Sequence, residues 1–213
     1  MKHAYVIVVV PASILIPLGA GLIKSGYKHV VTQIIFSYLI FAAIIEIVSR
    51  LLGTHQVNNL PLLHFYTIIE FLFIVRFFQL ALNNQLVSRY LGGLMIIFSV
   101  FCVFDFVFIQ SIYQFNSYPR PIGALIIIGL CIYYFFKYGE SDNQKPWVQE
   151  PLNWMVTGLL VYFGSSLFHF AFLNVLYEHA SLKVNYIFGT IHATLVMVMY
   201  LLFTAGFLYA KNE

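Results

Sequence analysis

The chain has 213 residues, of which 61% are hydrophobic and 9% are charged, against about 25% charged in an average soluble domain. This composition excludes a single water-soluble domain. The small net charge of +3 is spread along the chain, which excludes the basic stripe of a nucleic-acid-binding protein. Membrane-sized apolar segments take up nearly all of the length, so we expect a multi-pass protein of the cell membrane, inner or plasma, in contact with the lipid bilayer.

Seven apolar segments are long enough to cross a bilayer as helices, which takes about 20 residues each. Turn residues separate them, including Lys24-Ser25-Gly26 and Asn83-Asn84. Pro11 and Pro17 fall inside the first segment and predict a kink there. We therefore expect an all-α membrane protein, with one seven-helix transmembrane domain over 1–213. Its predicted helices cover about 4–24, 29–52, 60–82, 88–110, 121–138, 151–175 and 184–210.

Lysine and arginine residues predict the orientation of this bundle, because they are in excess in short cytoplasmic loops. Six of them fall at one end of the bundle and four at the other. The excess favours an N-terminus outside and a C-terminus inside the cell. The six are Lys24, Lys28, Arg89, Lys137, Lys145 and Lys211, and the four are Lys2, Arg50, Arg120 and Lys183.

Six ionisable residues interrupt the apolar segments, where each carries a desolvation cost and is a candidate for function. Counting about 1.5 Å of rise per residue from the helix ends places all six in the outer half of the bundle or at its middle. Arg76 falls near the inner end, where it can reach the membrane surface. The six residues are Glu46, His64, Glu70, Asp105, His169 and His192. They predict a polar chamber in the outer half.

Some of the six have structural interpretations. Glu46 and Arg50 are four residues apart and can pair at the helix edge, and Asp105 can bond a neighbouring helix. Glu70 lies about 15 Å from its helix end, so it is protonated, paired with a cation or bound to a metal. In the sixth helix, Tyr162, Ser165, Ser166 and His169 share one face with the expected helical spacing. Polar faces of this kind should point into the bundle, because lipid offers them no partner.

Three chemistries fit these residues. His64, His169 and His192 can bind zinc and leave a position for a water that attacks an ester or amide, with Glu70 or Asp105 as the base. This would be an intramembrane metal-dependent hydrolase, although the short His-Glu-x-x-His signature is absent. The same residues can instead recognise a small ligand, an ion or protons. The third hypothesis is a proton-coupled transporter or channel in which Glu70 shuttles protons.

Retinal is not expected as a cofactor, because the seventh helix has no lysine to hold it. Lys183 comes before that helix and Lys211 follows it. Zinc is the one cofactor that the pattern suggests.

Three diffuse motifs resemble elements of uncharacterised seven-helix integral membrane proteins of Bacteroidota. They are the run His-Phe-Tyr-Thr-Ile-Ile-Glu-Phe at 64–71, the segment 154–168 with its Trp154 and Tyr162-Phe163-Gly164, and Ile191-His192. The resemblance covers about the last three quarters of the chain. It implies a seven-helix fold, gives weight to Tyr66 beside His64, Glu70 and His192, and makes association with a sensor kinase plausible.

The sequence favours a receptor-like or sensor module over an enzyme. Its ligand or ion would bind in the outer half, and its signal would pass to a cytoplasmic partner docked on the 139–150 loop, which carries Trp147. The predicted ligand-binding residues are His64, Tyr66, Glu70, Tyr162, Ser166, His169 and His192.

Overall fold

A computed structural model describes residues 4–139 and 146–210. Within these ranges the chain is helical, and seven helices are long and apolar enough to cross a membrane. The prediction of a multi-pass, all-helical membrane protein is confirmed at this level. The helices are α1 (Tyr5–Ile23), α2 (Val30–Thr54), α3 (Leu60–Ala81), α4 (Gln85–Ile109), α5 (Pro119–Gly139), α6 (Pro151–His179) and α7 (Leu182–Tyr209).

Helix α1 is irregular at the proline nearer its start. A π-helical turn over Tyr5–Val9 leads into the short segment Val10–Ala12, and the regular α-helix resumes only at Leu15–Ile23. Pro11 lies at this interruption because it has no N–H group to donate to the preceding turn. Pro17 lies inside the regular segment, so the predicted irregularity belongs to Pro11.

The largest differences from the predicted bounds are four residues at the end of α6 and three at the start of α4, and α5 and α7 each begin two residues early. Helices α6 and α7 run to His179 and from Leu182, so that two residues join them, and the Ser181 hydroxyl caps α7 by accepting from the Val184 N–H at 3.4 Å. Helix α5 begins at Pro119. Arg120 therefore lies in the first turn of a helix and not in a loop.

Helices consecutive in the chain pack against one another, and α7 returns to α1, which closes the bundle. Helix α3 contacts α2, α4 and α5, and its spanning window is the most buried of the seven, at 39%. Its Phe71 stacks on Phe98 of α4 with ring centroids 3.8 Å apart. Only 17% to 39% of each spanning window is buried, and the exposed remainder is apolar, as lipid contact requires.

Helices α6 and α7 pack tightly at Gly206. A Cβ atom at this position would lie 2.9 Å from Met155 Cγ and 3.0 Å from the Pro151 carbonyl oxygen. The backbone oxygen cannot move aside as a flexible side chain can. Glycine at this position is therefore required by the packing of the two helices.

We predict that Gly206→Ala lowers the free energy of unfolding by about 1–3 kcal/mol, because the added methyl group overpacks the contact between α6 and α7. The measurement is reversible denaturation in mixed micelles, followed by helical circular dichroism.

Gly189→Ala is the matched control in the same helix, since nothing lies within 4 Å of its Cβ position. It should be neutral or stabilise by about 0.4–1 kcal/mol. Equal effects of the two substitutions would show that the close approach at Gly206 does not limit the packing.

Candidate functional site

A cavity of about 390 Å³ lies in the half of the bundle that contains the start of α1. It is bounded by the first turns of α1, α3 and α5, by the second half of α2, and by the middle of α6 and α7. This is the half that the ionisable residues predict. The polar side chains of its lining are Tyr38, Glu46, Ser49, Asn59, Tyr66, Arg120, Tyr162, His192 and Tyr200.

Glu70 lies behind this lining and is 3% exposed. Its Oε1 atom accepts hydrogen bonds from the hydroxyl groups of Tyr38 on α2 and Tyr66 on α3, both at 2.8 Å, and the two hydroxyls are 3.1 Å apart. The buried carboxyl group is thus satisfied by hydroxyl donors. The sequence did not identify Tyr38 as a site residue, because a tyrosine in an apolar helix cannot be distinguished from a packing residue.

Arg120 lies at the centre of the polar groups, and it was not among the predicted site residues. The guanidinium carbon is 4.5 Å from the ring centre of Phe170 and 5.8 Å from that of Tyr66. Its Nε atom is buried with no hydrogen-bond partner. Among the residues that the structure describes, no carboxylate lies within 4 Å of it.

A sequence signal for Arg120 did exist. It stands between Pro119 and Pro121, and proline is favoured in the first turn of a helix. The two prolines were interpreted as part of a loop, but they begin helix α5, and Arg120 in its first turn is therefore part of the bundle.

The polar faces of α6 and α7 meet at two histidines. The rings of His169 and His192 stack with centroids 4.5 Å apart and an angle of 15° between the planes. Nδ1 of His192 lies 3.0 Å from the Ser166 hydroxyl, and its ring is 5.6 Å from that of Tyr162. Four predicted residues, Tyr162, Ser166, His169 and His192, are therefore brought together on α6 and α7. A fifth, Tyr66, contacts Arg120 and holds Glu70 by a hydrogen bond.

His64 does not belong to this group. Its Nε2 atom donates to the Gln114 carbonyl oxygen at 2.9 Å, and one turn further along α3 the Thr67 hydroxyl accepts a 2.5 Å hydrogen bond from Asn116. Both bonds fasten the segment between α4 and α5 onto α3. The prediction of His64 as a neighbour of His169 and His192 is therefore wrong, because helical depth does not tell which way a side chain points.

Glu46 and Asp105, for which the sequence suggests structural roles, differ in whether their carboxylates have partners. Glu46 pairs with Arg50 at 2.6 Å, as predicted. Asp105 is 0% exposed in a π-helical turn, Asp105–Ile109, and neither of its carboxylate oxygens has a hydrogen-bond partner among the described residues. The expected bond from Asp105 to a neighbouring helix is thus not formed.

The three-histidine zinc site is not assembled. Within residues 4–139 and 146–210, no group of three or more His, Cys, Asp or Glu side chains is placed to hold a metal ion. A catalytic zinc needs three protein ligands. His169 and His192 supply two candidates, and His64 bonds elsewhere.

Comparison with known proteins gives no match to a family model, a curated protein or a solved structure. The resemblance to seven-helix proteins of Bacteroidota is not tested by these comparisons and stays a prediction.

We predict that Tyr38→Phe lowers the free energy of unfolding by about 0.6 to 1.7 kcal/mol, from the average to the maximum for hydrogen bonds between membrane helices. Tyr66→Phe should cost a similar amount. Because both hydroxyls bond the same oxygen of Glu70 and each other, the double variant should depart from additivity by at least about 0.5 kcal/mol.

Tyr133→Phe is the control, because this tyrosine is on the exposed surface of α5. It should leave the free energy of unfolding unchanged. Strict additivity in the double variant would contradict the shared network around Glu70.

Proposed function

We propose that this membrane protein is a receptor-like module, which binds a small amphipathic ligand in the cavity and signals to a partner at the other end of the bundle. The cavity itself carries the proposal. Its volume of about 390 Å³ is within the range of small-molecule sites, about 300–1,000 Å³. Apolar side chains of α1 face a few polar groups, which is the usual lining of a ligand site.

Helix α7 supports the signalling part of the proposal, because it connects the cavity to the opposite end. His192 and Tyr200 line the cavity. Near the end of the same helix, about 25 Å from His192 along the helix axis, Tyr209 stacks on Trp154 with ring centroids 6.2 Å apart. Trp154 in turn contacts Trp147, at 5.1 Å. A ligand that shifts α7 would therefore move this aromatic cluster, provided that it prefers one of two bundle states.

The partner would dock on the 139–150 loop at that end, which we propose to be cytoplasmic. Residues 140–145 lie outside the described part of the chain. The described portion is held to the bundle, because Asn153 Nδ2 donates to the Trp147 carbonyl at 3.1 Å and Trp154 Nε1 to that of Val148 at 2.9 Å. With Arg120 inside the bundle, three positive residues remain at the end proposed to be outside, against six at the other.

The alternative functions have less support. A zinc hydrolase would need a third ligand beside His169 and His192. A proton-coupled transporter would use Glu70, which lies behind the cavity lining and is bonded to Tyr38 and Tyr66.

The only two tryptophans of the chain, Trp147 and Trp154, offer a direct test, because both lie away from the cavity. Wild-type protein in nanodiscs is titrated with decanol and, separately, with decanoate. At least one of these amphiphiles should bind and change the tryptophan emission saturably.

Ala42→Phe, which fills the cavity from α2, should abolish both binding and the emission change. Ile44→Phe adds a comparable ring on the exposed face of the same helix and should change neither. Saturable binding without any emission change would contradict signalling through α7, and equal behaviour of the two variants would contradict binding in the cavity.

A further inference from the structure

We infer that the cavity selects an amphipathic monocarboxylate, with its carboxylate at Arg120 and its apolar tail against α1. This inference rests on the proposed function, since it names the chemical class of the ligand in the same cavity.

The charges of the lining favour an anion. Its acidic and basic residues, apart from histidine, are Glu46 and Arg120. Glu46 is already paired with Arg50 at 2.6 Å. Arg120 has no ion pair within 4 Å among the described residues, so the cavity carries one positive charge without a direct counter-ion.

The surroundings of Arg120 satisfy it only in part. Its neighbours are the aromatic rings of Phe170 and Tyr66. Glu70 is held by a hydrogen bond from Tyr66 and does not line the cavity. Buried guanidinium groups normally have acceptors for their N–H groups. The buried Nε atom of Arg120 lacks an acceptor among the described residues. A carboxylate is the acceptor that a guanidinium group binds with matching geometry.

The remaining residues that line the cavity indicate the character of the ligand's tail and the number of its charges. Val6, Val10, Pro11 and Ile14 of α1 form an apolar wall, joined by Val196 of α7. Such a wall gives an inorganic anion no contacts but stabilises a hydrocarbon tail by burying it. One guanidinium neutralises one charge, so a monocarboxylate suits the cavity better than a doubly charged phosphate.

The test compares three probes with the same ten-carbon tail in nanodiscs: decanoate, decanol and decyltrimethylammonium. Binding is measured by isothermal titration calorimetry and corrected with empty nanodiscs. We expect wild-type protein to bind decanoate at least about tenfold more tightly than decanol, as a charge-assisted hydrogen bond provides, and the cation most weakly. Hexanoate from solution and oleate preloaded in the bilayer distinguish an aqueous from a membrane source of the carboxylate.

Arg120→Gln should remove the preference for decanoate over decanol, whereas Arg120→Lys, which keeps the positive charge, should retain part of it. Arg89→Gln removes an exposed arginine near the other end of the bundle and should change nothing. If Arg120→Gln does not fold, the Arg120→Lys variant and the order of the three probes on wild-type protein still decide the matter.

Equal affinity of wild-type protein for decanoate and decanol, with both lost in Ala42→Phe, would overturn the carboxylate inference and leave the proposed function standing. Failure of every probe to bind would overturn both. A preference for decanoate that survives in Arg120→Gln would also overturn the inference.

Discussion

A positive charge held between helices in a membrane is the constraint around which the rest of this site is organised. Removing a guanidinium group from water costs several kcal/mol, and lipid tails provide no hydrogen-bond acceptor or opposite charge to offset that cost. The bundle offsets part of this cost with the π faces of Phe170 and Tyr66. The polar residues of α3, α6 and α7 that face the chamber are therefore best understood as the environment of Arg120.

The cavity beside Arg120 depends on the irregular start of α1. A regular helix without Pro11 would present a continuous ridge to α2 and α7. The π-helical turn and the break after Ala12 disturb that ridge where Val6, Val10 and Ile14 face the cavity. The cavity thus lies beside this proline, and the apolar residues around it define the character of the wall.

The sequence predicted the helices well, because lipid imposes a length and a composition on each spanning segment that few other structures share. The cavity lies in the half of the bundle in which the ionisable residues are expected, since depth follows from position along a helix. The depth of a residue along its helix does not tell which way its side chain points. His64 lies at the expected height, but it points at the segment between α4 and α5. Arg120 was missed for a related reason: Pro119 and Pro121 suggested a loop, although proline also begins helices.

The hydrogen bonds of α3 divide the bundle into two parts with different mechanical roles. Tyr38 ties α2 to Glu70 of α3, and His64 and Thr67 tie the segment between α4 and α5 to the same helix. Helix α7 makes no such bond to α3 among the described residues; its polar contacts are to α1 through Tyr5 and to α6 through Ser166. Helices α2 and α3 and the segment between α4 and α5 thus form one bonded frame, to which Asn174 also ties α6. In the proposed function, the displacement that accompanies ligand binding would belong to α1 and α7.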